Sequence, residues 1–124
     1  MRYDAIFIIA GLLCLLCGEG LGIWMGVHEN FTLAPAHAHL NLVGWVTLSL
    51  YGLIHRTYPG LKTSRLAPVQ CVLAVIGAVL LPAGIAYGLL HQVFIGAIVG
   101  SFIVITATLL FVIMFIRKHK ALPA

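Results

Sequence analysis

Apolar residues run along this chain in four long blocks, at roughly 5–27, 36–55, 66–89 and 93–116, separated by short polar stretches. Each block approaches or exceeds the ~20 residues that an α-helix needs to cross a bilayer, so the pattern predicts four transmembrane helices in a single domain over 1–124. The breaks "HENFTLAPA" and "LLHQ", with a basic stretch between blocks two and three, leave almost nothing over for a soluble domain. Block one is expected to stay as a helix. Its apolar run of roughly 23 residues is longer than a signal-peptide h-region, and "GVHEN" offers no A-x-A-like cleavage site. Within the blocks, Pro82 and Gly84 predict a kink in the third, while Gly96 and Gly100 in the fourth form a G-x-x-x-G expected to face another helix. Gly18, Gly22 and Gly26 make a similar stripe in the first.

Composition agrees with the pattern and adds an orientation. Hydrophobic side chains make up 62% of the 124 residues and charged ones 8%, with a mean hydropathy of +1.12. Such values lie outside the range of soluble domains. Arg2 precedes block one, Arg56, Lys62 and Arg65 lie between blocks two and three, and Arg117, Lys118 and Lys120 follow block four. The other two connections carry no Lys or Arg, so the positive-inside rule puts both termini in the cytoplasm of a bacterial inner membrane. The net charge of +4 is then a topology signal, and nucleic acid binding, which needs a basic face on a soluble domain, is excluded. Membrane lipid is the expected surrounding. Cys14, Cys17 and Cys71 fall inside apolar blocks without a zinc-type pairing and read as packing residues.

With the sides assigned, the six histidines divide. His28 ends block one, with Glu29 beside it; His37 and His39 open block two, and His91 sits in the turn before block four. These four belong to the periplasmic or outer end, from which Lys and Arg are absent, and they make a candidate ligand set for haem, copper or zinc. His55 beside Arg56 reads as a cytoplasmic interfacial anchor, and His119 within "RKHK" as part of a basic tail. Pro35 suits the first turn of a helix, which places His37 and His39 just inside it. Two positions apart on a helix is roughly 200°, so the imidazoles leave opposite faces and cannot bind one ion together. The spacing points to two separate sites. Asn41 continues the His37 face one turn deeper as a possible partner, and Gly44 on that face leaves room for a flat ligand or another helix.

Glu19 also demands a reason, because a carboxylate inside a span is costly and usually functional or paired. It lies roughly 13 Å below His28 along the first helix. Its candidate roles are proton acceptance coupled to redox change, a hydrogen bond to a metal ligand, or a neutral bond between helices. Met25, near the same end, is a weaker axial-ligand candidate that reads as packing.

The stretch "HAHLNLVGWVTLSLYGLIHRTYPGL" resembles the helix of haem-copper oxidase and nitric oxide reductase catalytic subunits that bears their H-x-H pair, as do the following Gly44-Trp45, Tyr51 and Tyr58-Pro59. In that family the two histidines ligate two haems on opposite faces of one helix. Its catalytic subunit has twelve helices in three arcs of four, with haem ligands on the second helix of each arc. A four-helix chain with its pair on helix two matches one arc, so the resemblance implies a homotrimer that rebuilds the ring. His37 of one copy would then face His39 of the next across a haem b. The family's copper site needs further histidines on other helices, which a single arc lacks, and its outer arginines near the haem propionates have no counterpart here. Propionates would rest on His28, Asn30, backbone amides or water.

The expected function is therefore a haem-b redox carrier or haem-binding accessory of a respiratory chain, with a quinol or cytochrome as redox partner, and not a complete oxidase. The alternatives are a haem-free copper or zinc protein using His28, His37, His39 and His91, or a structural accessory of an oxidase.

Overall fold

The computed structural model describes residues 1–122, and every regular element among them is helical. Helix α1 spans Tyr3–Val27, α2 Ala34–His39, α3 Leu48–Thr57, α4 Ala67–His91 and α5 Ile95–Lys118. A π-helical stretch, Leu40–Thr47, joins α2 to α3 without a break, and a short 3-10 helix, Pro59–Thr63, follows α3. Helices α1, α4 and α5 are each long and apolar enough to cross a membrane. Large apolar side chains such as Leu16, Ile23, Phe102 and Ile105 stand on their exposed faces, as in a protein surrounded by hydrocarbon.

The helices form two antiparallel pairs, each brought close by glycine. Against α1 lies the continuous run 34–57. A Cβ on Gly22 would meet His37 Cε1 at 3.0 Å, one on Gly18 would overlap Asn41 Oδ1, and one on Gly11 would lie 2.7 Å from Ser49 Oγ. From the opposite side, a Cβ on Gly44 would sit 2.6 Å from Cys14 Cβ, and one on Gly52 2.7 Å from Ile8 Cγ1. Backbones this close gain dispersion contact that hydrocarbon cannot replace. Gly26, at the end of the expected stripe, faces open space, and Gly11 takes its place in the contact. In the second pair, Gly84 abuts the backbone of Gly96 and Ala97, and a Cβ on Gly100 would lie 2.8 Å from Leu81 Cα. Helix α4 runs on through Pro82 and ends at Gln92, which takes the left-handed conformation at φ 58° and donates its N–H to Gly88 O at 2.7 Å.

The π stretch has a reason in this packing. His37, Asn41, Trp45 and Ser49 all meet α1, at Gly22, Gly18 and, for the last two, Gly11. An α-helix turning 100° per residue would drift by about 120° over those twelve positions and carry Ser49 off the face. The looser i→i+5 winding cancels most of that drift, so three successive steps of four stay against one partner. Thr47 Oγ1 donates to Leu42 O, five residues back, at 2.8 Å, and supplies a bond within the widened turn.

The pairs meet in a core of Phe7, Leu48, Ala78 and Met114, with Tyr51 packed on Phe111 and hydrogen-bonded to Thr108 Oγ1 at 3.1 Å. His55 lies there too, contrary to its expected place as an interfacial anchor. It is 6% exposed, and its ring centroid is 5.3 Å from that of Tyr3 and 5.7 Å from that of Phe7. Leu48, Tyr51 and His55 recur at helical spacing on one buried face. The anchoring falls to its neighbour Arg56, which is exposed and reaches Asp4 at 3.5 Å. Antiparallel packing gathers the start of α1, the end of α3, the start of α4 and the end of α5 at one end of the bundle. All seven Lys and Arg therefore lie together. His28 and His91 mark the opposite end.

Candidate functional site

The histidine pair sits where α2 gives way to the π stretch, and its two members have different surroundings. His37 points at α1. Its Nδ1 is 2.8 Å from Gly18 O, a bond in which the imidazole N–H donates to a carbonyl nineteen residues away in sequence. That donation leaves the lone pair on Nε2, which lies 3.3 Å from Asn41 Nδ2. Pinning one ring nitrogen to a carbonyl while the other offers its lone pair is the arrangement metal-bound histidines show. Room for the ring comes from Gly22 and room for Asn41 from Gly18. Asn41 Oδ1 is buried without a hydrogen-bond partner, so the amide is only half satisfied where it stands.

His39 ends α2 on the other side and is partly exposed. Its Nδ1 donates to Pro35 O at 2.7 Å, again leaving Nε2 as the lone-pair nitrogen. Donation to the carbonyl four residues back also occurs at His28, to Trp24 O at 2.9 Å, and at His119, to Phe115 O at 2.8 Å. For His39 the bond therefore fixes the tautomer without marking a special site. The cross-helix bond of His37 is the distinctive one.

The other candidates lie apart. His28 caps α1 and stacks on Trp24, centroids 4.7 Å apart, and His91 is exposed at the end of α4 beside Tyr87 at 4.5 Å. Among the described residues no three His, Cys, Asp or Glu side chains come together as an ion would require, so His28, His37, His39 and His91 form no joint cluster within one chain. Asn30 Oδ1 is engaged in the loop, accepting from Thr32 N–H at 3.1 Å and Thr32 Oγ1 at 2.7 Å. Gly44 is filled by Cys14 and serves helix contact; Met25 is buried at 4% exposure. Glu19, next to the carbonyl that holds His37, stands exposed on α1 with no ion pair to it among the described residues.

Two features of the site escape a reading of spacing alone. One is the Gly18 carbonyl as the anchor of His37, because backbone acceptors leave no mark in side-chain pattern. The other is the π winding. The heptad step from Gly11 to Gly18 was the available signal for the true α1 face.

Two donor nitrogens on opposite faces of one helix, each with its Nδ1–H held, define a helical protein of membrane type with one imidazole lone pair turned to α1 beside Asn41 and one on the partly exposed side. Comparison with known protein families, with curated proteins and with solved structures finds no match to this chain.

Proposed function

We propose that this chain is a four-span inner-membrane protein, with both termini cytoplasmic, that binds haem b through His37 and His39 and carries electrons. In this reading the run 34–57 is the fourth span. The observation that carries it is the cross-helix bond that holds His37 Nδ1–H on the Gly18 carbonyl. It leaves the Nε2 lone pair, met only by Asn41 at 3.3 Å, while His39 two positions on presents its own Nε2 on the other side, as ligands to two different irons need.

The residues fit such a group between copies and not within one. His37 and His39 of a single chain face apart, so His37 of one copy and His39 of the next would supply the two ligands of each haem, in a closed homotrimer. Asn41 would swing from His37 Nε2 and could then satisfy its orphaned Oδ1. Glu19 supports association independently, since a carboxylate exposed on an apolar span is costly against lipid and is covered at a contact between copies. Haem would supply one-electron chemistry, held by His37 and His39, and two histidine donors would favour electron exchange, taken from a quinol or passed to or from a cytochrome, over gas binding. A zinc centre takes three or four protein donors on one ion, and no such group assembles among the described residues of one chain, whereas a haem would need one histidine from each of two copies. The haem reading therefore stands ahead of it.

The test is an oxidised and reduced visible spectrum with a pyridine haemochrome assay on detergent-purified protein grown with ample haem. A sharp low-spin b-type spectrum near one haem per chain is expected. A colourless protein that also fails haem reconstitution refutes the proposal and turns attention to copper or zinc.

A further inference from the structure

Three clefts lie in succession along α1, neighbours sharing wall residues, and their chemistry changes from one to the next. At the basic end a cleft of about 390 Å³ lies between the start of α1, the end of α3 and the 3-10 helix and is lined by Arg2, Asp4, Arg56 and Lys62, with Met1 and Tyr3 on its wall. Met1 and Tyr3 also belong to a second cleft of about 370 Å³, whose other walls, including Ile6, Val72 and Val75, are apolar. Val75 in turn lines a third, about 440 Å³, that reaches Leu21 on α1 and Val79 and Ala86 on α4. From Ile6 to Leu21 the apolar part runs about 22 Å along α1, more than the roughly 15 Å depth of one hydrocarbon leaflet.

Charge at the mouth is unbalanced. Asp4 accepts two bonds from Arg2, Nε to Oδ1 at 3.0 Å and Nη2 to Oδ2 at 3.1 Å, and lies 3.5 Å from Arg56 Nη1. One carboxylate thus faces two guanidiniums, and Lys62 has no acidic partner among the described residues. Both guanidiniums keep exposed donors, with the Arg2 and Arg56 side chains 73% and 72% exposed.

We propose that these adjoining clefts hold one anionic phospholipid, its phosphate against Arg2, Arg56 and Lys62 and an acyl chain passing Met1 and Tyr3 into the α1–α4 groove. A cationic mouth joined to an apolar groove of leaflet length matches a charged head on a long chain, and guanidinium donors suit phosphate oxygens. A neutral quinone or a zwitterionic lipid leaves the excess positive charge uncompensated. A second copy seated over this basic mouth itself would set its own basic end directly against Arg2, Arg56 and Lys62 and meet like charge. The inference needs only that the chain lies in a membrane, and stands whether or not haem binds.

The experiment is native mass spectrometry of the detergent-purified full chain with phosphatidylglycerol or phosphatidylcholine of identical acyl chains, with inorganic phosphate as competitor. Phosphatidylglycerol should be retained in preference to phosphatidylcholine. Arg56→Gln and Lys62→Gln should each weaken it about fivefold, the weight of one basic residue at an anionic surface. Val72→Trp and Val79→Trp fill the groove from exposed positions that tolerate bulk, so they should weaken retention while circular dichroism reports an unchanged helix content. Equal retention of both lipids, or no effect of either glutamine variant, overturns the proposal. Retention that ignores both tryptophans and is displaced by inorganic phosphate overturns it too, and reveals a free-anion site.

Discussion

Adding one methyl group to α1 at Gly18 tests the packing that frames His37. A Cβ there overlaps Asn41 Oδ1 and would lie 3.0 Å from Asn41 Cγ, so the amide must move. It is packed against α1 with its oxygen already unpartnered, and it contacts His37 Nε2 at 3.3 Å. Overpacking of this kind costs about 1–3 kcal/mol. Alanine also gains up to about 1 kcal/mol of helix propensity over glycine, which obscures the loss in a single variant. Gly20 removes the ambiguity. It lies two residues on in the same helix, and a Cβ there meets nothing within 4 Å. Gly20→Ala should gain the propensity term alone, and the difference between the two variants, in which that term cancels, should be about 1–3 kcal/mol. The assay is reversible unfolding in mixed micelles titrated with a denaturing detergent and followed by circular dichroism. Equal stability of Gly18→Ala and Gly20→Ala would mean that α1 does not press on the 34–57 run at Gly18, and the account of the glycine contact would fail with it.

Three further outcomes are expected. His37→Ala and His39→Ala should each abolish the same haem spectrum if one haem bridges two copies; loss of half the signal from each, measured by pyridine haemochrome, would instead mean two independent sites. His55→Phe removes a buried Nε2 that has no partner while keeping an aromatic ring among Tyr3, Phe7 and Phe111. It should stabilise the fold by about 1 kcal/mol, and a clear loss of stability in the same unfolding assay would show that the nitrogen is satisfied. Gln92→Gly relieves a left-handed residue at φ 58° and should stabilise by roughly 1 kcal/mol; no gain would mean that the turn after α4 adopts another conformation.

Much of the fold is legible because hydrophobic blocks and polar breaks act over whole helices. The long apolar runs become α1, α4 and α5, and the basic residues locate one common end. The α1 face is legible as well, since Phe7, Gly11, Cys14, Gly18 and Met25 recur at steps that keep a single stripe buried. Spacing misleads where the local winding changes. Pure α periodicity sends Trp45 and Ser49 away from the His37 face, whereas the π stretch brings both against Gly11. It also fails where one residue type serves two environments. His55 and Arg56 are adjacent and both polar, and sequence order does not tell which one the helix turns inward. The Gly18 carbonyl that holds His37 is a backbone group and carries no side-chain signature.

The unsatisfied groups themselves sort the molecule into what is finished within one chain and what is not. Ser49 Oγ, packed on Gly11, and Gln70 Oε1, on an amide whose Nε2 donates to Ala107 O at 3.4 Å, are buried without partners at helix contacts, where close packing supplies the stabilisation and a stray lone pair costs about 1–3 kcal/mol. Around His37 the deficiency has another character. A half-satisfied Asn41, a His37 lone pair held by one long contact and an exposed Glu19 lie within one turn of the Gly18 level, on and beside an apolar helix. Packing more tightly within the chain cannot repair all three, because Glu19 and His39 face outward while His37 and Asn41 face α1. A second copy would bring polar groups to the outward pair, and a ligand that took the His37 lone pair would free the Asn41 amide to turn. On the proposed assembly one contact between copies would answer to Glu19, His39 and His37 at once, and substituting Glu19 should weaken association and ligand binding together.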